Sequence, residues 1–137
     1  AACLCLQWYN PLAQELQRRA AGLGITLDVL LEVNIGGEET KTGMEQEALW
    51  GLLEEMAGFS ALRVRGLMCI PPRSKTSLET ERYFERMYKI FVDIKGKKID
   101  NISMETLSMG MTGDYQLAAR HGASLVRVGT GIFGKRG

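Results

Sequence analysis

Apolar residues in this chain recur with two alternating periods. After Asn10 and Pro11, the residues Leu12, Leu16, Ala20 and Leu23 fall at helical spacing. Asparagine before proline is an N-cap and N1 pair, because proline lacks an N–H that the first turn could not use. Gly22 or Gly24 is placed to end this helix. Residues 27–35 then alternate with period two, which predicts a strand. Leu27, Val29, Leu31, Val33 and Ile35 share one face; Asp28, Leu30, Glu32 and Asn34 share the other. Thr42 and Glu45 have capping-box spacing. They lead into a helical stripe of Leu49, Leu52, Leu53 and Met56 that closes near Gly58. A second strand is predicted over 62–70, stopped by Pro71 and Pro72. Thr76 and Glu79 repeat the capping box before the stripe Phe84, Met87, Tyr88, Phe91, and a solvated basic turn from Lys95 to Lys98 ends that helix. A third strand is predicted over 105–109. A short helix from about 114 to 121 follows, with Thr112 as N-cap, Asp114 in its first turn and His121 in its last. A fourth strand covers 124–129, and the following GTGIFG reads as another helix start.

Strands separated by helices of this length imply βαβ units, a parallel sheet and right-handed crossovers. Only four strong strands are visible, whereas a closed eight-stranded barrel takes about 250 residues. The chain is therefore expected to be a small open α/β sheet or part of a barrel. In both architectures a ligand lies at the carboxyl ends of the strands.

Composition narrows the chemistry. The 137 residues carry a net charge of +1 with 24% charged residues, which argues against a polybasic nucleic-acid binder. No apolar run reaches the roughly 18 residues of a spanning helix. No basic segment precedes the apolar opening, so a secretory signal is not expected. Cys3, Cys5 and Cys69 are an odd set with no metal-ligand spacing, which points to idle thiols in a reduced compartment and to no metal site. The single histidine, His121, suits a helix carboxyl end by dipole complementarity rather than catalysis.

Glycine is concentrated at the end of the chain, in two segments that carry candidate chemistry. Leu107 to Thr112 and Val126 to Gly131 each end a predicted strand and open a predicted helix. Helix starts present unpaired N–H groups and partial positive charge. Hydroxyls and glycines added to these make a phosphate cradle, and consecutive late βα loops are where barrels hold phosphate. Arg127, always protonated, is expected to point inward near the same place.

The motifs LSMGMT and VRVGTGIFGKR, with LEVNIGGEETKTGM and LRVRGLMCIPP before them, resemble those of the pyridoxal-phosphate homeostasis family. That family is similar to the alanine racemase N-terminal barrel. The resemblance runs from about residue 10 to 136 and leaves residues 1–9 as a poorly matched leader. It implies an α/β fold: a partial TIM-like (β/α) barrel with parallel strands and outer helices, in which this chain is a single domain forming the C-terminal portion. It implies a non-catalytic binder of pyridoxal 5'-phosphate (PLP) in intracellular PLP homeostasis. By carry-over, Ser108, Met109, Gly110, Met111, Thr112, Gly129 and Thr130 hold the cofactor phosphate, and Arg127 faces the pyridine nitrogen. The family's Schiff-base lysine belongs upstream of every matched motif, so contact with PLP is expected to be non-covalent; Lys41 is the lysine to watch. Glu32 stands where the family commonly has glutamine. The implied setting is cytoplasmic, or mitochondrial in a eukaryote, with client PLP enzymes as partners, no nucleic acid or membrane, and a monomer or weak homodimer.

Three other readings compete. A racemase-like PLP enzyme would need a second domain with a catalytic tyrosine or cysteine. A sugar-phosphate barrel enzyme would need a carboxylate or lysine pair at strand ends, for which Glu32 and Glu105 are the candidates. A remnant that binds nothing would need neither.

Overall fold

The computed structural model describes residues 4–6, 10–36, 46–72, 76–111 and 113–127. Five parallel strands form one sheet in the order β1 (Leu4–Leu6), β2 (Leu27–Glu32), β3 (Leu62–Met68), β4 (Ile102–Met111) and β5 (Leu125–Arg127). Between them run α1 (Asn10–Leu23), α2 (Gln46–Met56), α3 (Ser77–Lys97) and α4 (Tyr115–Arg120). Strand order follows chain order, with no reversal of direction across the sheet. Same-handed crossovers in such a sheet put every helix on one face, as in an arc of a barrel; a doubly wound sheet would reverse and carry helices on both.

The packing agrees. Val29, Leu31, Val64, Leu67, Leu107 and Met109 of the strands join Ala13, Leu53, Phe84 and Ala118 of the four helices in one buried cluster. Residues on the other face of the same strands, Leu30, Glu32, Met68 and Ser108, are absent from it. That second face corresponds to a barrel interior.

Several local expectations hold with sharper detail. Thr76 caps α3, its hydroxyl accepting the Glu79 N–H at 3.2 Å. Gly24, at φ +68, ends α1 as the Gly24 and Ile25 N–H groups return to the carbonyls of Ala21 and Ala20. Leu49, Leu52, Leu53 and Met56 are all buried. The Thr42–Glu45 box lies outside the described residues.

Residues 4–6 form an edge strand in register with β2, Leu4 pairing with Val29. Three expectations change. The strand β4 covers ten residues rather than five, because Ile102 pairs with Val64 before the ladder shifts and resumes at Thr106 opposite Gly66. The inward stripe of α3 continues from Phe91 to Ile94, while Tyr88 is 45% exposed. Residues 87, 91 and 94 keep one helical face and 88 sits at its margin. The short helix starts after Asp114, not after Thr112, which lies outside the described residues.

Gly66 fixes how closely β3 and β4 approach. A Cβ there would stand 1.7 Å from the Thr106 carbonyl oxygen, so no other residue fits without moving a strand.

Candidate functional site

The inner face of β2, β3 and β4 is built in rows. Nearest the carboxyl ends, Glu32 pairs with Met68 and Met68 with Ser108. Below it come Leu30, Gly66 and Thr106, again paired across the strands. Towards the amino ends Arg65 reaches to both sides, its Nε donating to Asp28 Oδ1 at 3.1 Å and its Nη1 to Glu105 Oε2 at 2.7 Å. The Asp28 carboxylate, then that of Glu105, holds the Arg65 guanidinium above its usual pKa.

The upper row is where polar groups are buried. Among the described residues Glu32, 6% exposed, and Ser108, 2% exposed, are the buried polar side chains. Each has further polar partners. Burying them at the strand ends, where an α/β fold receives its ligand, is the arrangement expected of a binding site rather than of a core.

The predicted phosphate residues divide by position. The side chain of Met109 is fully buried in the helix-facing cluster and does not reach the inner face. Gly110, at φ +102, lies under α4; a Cβ there would be 2.6 Å from Ala118 Cβ. Its role is to let the helix sit directly on the strand end. The Met111 N–H donates to Asp114 Oδ1 at 2.7 Å, so a carboxylate already takes this amide. Of this segment Ser108 is the residue whose side chain is buried on the inner face. Arg127 lies in β5 with its backbone paired to Met111, which brings the two late strand ends side by side. Ser124 ties them further: its N–H donates to the Leu107 carbonyl at 3.0 Å, and its hydroxyl accepts the Leu107 N–H at 2.8 Å. Thr112, Gly129, Thr130 and Lys41 lie outside the described residues.

Glu105, one of two carboxylates considered for sugar-phosphate chemistry, is committed to Arg65 near the opposite end of the sheet. It therefore makes no pair with Glu32. His121 does sit at the carboxyl end of α4, but its Nε2 also lies 2.8 Å from Glu81 Oε1 of α3, a contact the sequence did not suggest. Beside that turn, an open groove of about 910 Å³ runs along the amino-terminal half of β4, lined by Tyr88, Phe91, Lys95, Lys98, Ile99 and Met104 among others. It lies at the opposite end of β4 from Ser108. No helix among the described residues is long and apolar enough to cross a membrane.

Known proteins share this architecture. The chain is 41% identical over 125 residues to the pyridoxal phosphate homeostasis protein of Aquifex aeolicus, covering 91% of this chain and 54% of that protein. It spans about half the length of the curated relatives it matches. The structure of PipY from Synechococcus elongatus with PLP bound superposes with a TM-score of 0.83 at 28% identity, over 96% of this chain and 60% of that one. Alanine racemase from Corynebacterium glutamicum, at 12% identity, shares the fold with a TM-score of 0.73 over 98% of this chain and 36% of that one. The family described as alanine racemase, N-terminal domain, matches residues 8–137. With its in-order parallel strands, one-sided helices and polar row at the strand ends, the chain belongs to the alanine racemase N-terminal-domain family.

Proposed function

We propose that this chain supplies the phosphate-binding part of a PLP-binding barrel that serves PLP homeostasis and is not itself catalytic. The observation that carries the reading is Ser108: a hydroxyl 2% exposed on the inner face, at the carboxyl end of the strand that leads into α4. The relatives' names and the PLP-bound neighbour support it.

The residues present suit the group. Phosphate accepts hydrogen bonds, and the Ser108 hydroxyl can donate one. Arg127, on the adjacent strand, is the residue that the family motif assigns to the pyridine nitrogen. A permanent cation there disfavours protonation of that nitrogen. PLP, when bound, supplies an electron-withdrawing ring. An unprotonated ring is the weaker electron sink, which suits a holder of the cofactor better than an enzyme. Client PLP enzymes are then the recipients.

Titration of the chain with PLP, followed by near-ultraviolet and visible absorbance, tests this. Saturable binding that weakens about tenfold in Ser108→Ala, a loss of ~1.4 kcal/mol and so of one charge-assisted hydrogen bond, is the expected result. Equal affinity in both proteins, with both folded by circular dichroism, would remove Ser108 from the site. A borohydride-stable adduct on a lysine would replace the non-covalent reading with a covalent one. Racemisation of alanine would overturn the non-enzymatic one.

A further inference from the structure

A second cluster of ligating atoms lies on the helical side of the sheet, across from the Glu32–Met68–Ser108 row. Glu81 and Glu85 stand one turn apart on α3, and His121 closes α4 opposite them. One ligand atom from each lies within 4.8 Å of the other two.

We propose that Glu81, Glu85 and His121 form a site for a divalent transition-metal ion of the zinc class. One imidazole and two carboxylates are a donor set that such ions accept, with the fourth position left to water. The dimensions suit it. Metal–ligand bonds of about 2.0–2.2 Å put neighbouring ligand atoms of a tetrahedral site roughly 3.3–3.5 Å apart. The His121 Nε2 to Glu81 Oε1 separation is 2.8 Å, so a metal replacing the shared proton needs that pair to open only slightly.

An ion pair between Glu81 and His121 would explain two of the three residues, but not Glu85. Glu85 is exposed, and its carboxylate makes no hydrogen bond or ion pair with another described residue. Its carboxylate nevertheless converges on the pair, next to a second carboxylate four residues away. Like charges at that helical spacing repel, and a cation between them removes the repulsion. The third donor is also held firmly. The His121 N–H bonds back to the carbonyls of Leu117 and Ala118, and the following Gly122, at φ +98, packs so closely under the Tyr88 ring that a Cβ would come within 2.2 Å of it. A bound ion would cross-link α3 to α4.

Isothermal titration with zinc chloride near neutral pH, on the chain and on Glu85→Gln and His121→Gln, tests the site. The expected result is one zinc per chain, with affinity falling at least about tenfold in each variant, and a zinc-dependent rise in thermal midpoint that both variants lose. Glu85→Gln changes an exposed residue without structural bonds, so it folds even if His121→Gln does not. Absence of zinc uptake would overturn the proposal. So would uptake unaffected by Glu85→Gln, whether because cysteine thiols hold the metal or because Glu81 and His121 form a simple pair.

Discussion

Glu32 and Ser108 occupy one register row across three strands, separated by Met68, and both are buried. Two strand spacings of about 4.8 Å place their backbones roughly 10 Å apart. At an effective dielectric of about 20, a unit charge at that range acts with ~1.7 kcal/mol on another near Ser108. Glu32 therefore opposes an anion bound there. Glu32→Gln keeps the shape, exchanges one acceptor oxygen for an NH2 donor, and removes the charge. PLP affinity, read by absorbance titration, should rise roughly five- to twentyfold in this variant. A fall would mean that Glu32 attracts the ligand, through its pyridinium or an amine, instead of repelling its phosphate.

The ionic row near the amino ends should behave as a strand clamp. Arg65, with its side chain 29% exposed, joins β2 and β4 through Asp28 and Glu105. Such a network is partly screened by water, so its value is modest. Arg65→Met should lower the urea midpoint of unfolding modestly, since it leaves two carboxylates without their cation. The deficit should shrink in 1 M salt, where the Debye length is about 3 Å.

Two glycines should be intolerant for different reasons. Gly66→Ala drives a Cβ into the Thr106 carbonyl, and the ladder between β3 and β4 must part. We expect a loss of about 3 kcal/mol or more, or failure to fold, seen as loss of a cooperative thermal transition. Gly110→Ala combines a φ of +102 with contact against Ala118. Its cost should be roughly 1–3 kcal/mol, and PLP binding should weaken with it as α4 is pushed off the strand end.

Helix α1 carries a pH-dependent surface element. Hydrogen bonds from Arg18 and then Arg19 lower the Glu15 pKa from its usual 4.5 to about 2. A depressed carboxylate pKa stabilises the folded state fully above pH 4.5, and the contribution disappears as pH falls towards about 2. Glu15→Gln should lower the thermal midpoint near neutral pH in low salt. The gap from the unsubstituted chain should close at pH 2 and narrow with added salt. A constant gap across the range would mean that Glu15 acts through packing.

The sequence made the helices legible where caps and stripes coincide, as with Thr76, Glu79, Phe84, Met87 and Phe91. Period-two alternation located the helix-facing residues of β2 and the direction of Glu32. It failed at β4, where Ser103 and Glu105 interrupt the apolar pattern and the ladder with β3 shifts before it resumes at Thr106. The shift in register opposite Val64 and Gly66 is a tertiary event with no local signature. The resemblance in Leu107–Thr112 falls on the carboxyl end of β4. Sequence spacing could not show that Met109 turns to the helices or that Asp114 takes the Met111 N–H. The convergence of Glu81, Glu85 and His121 was equally hidden, because the histidine lies 40 residues beyond its closest partner.

The most direct test of the site is a crystal structure of this chain grown with PLP. The phosphate is expected at the carboxyl ends of β4 and β5, within hydrogen-bond distance of the Ser108 hydroxyl. A phosphate found instead in the groove beside Lys95 and Lys98, at the other end of β4, would contradict it.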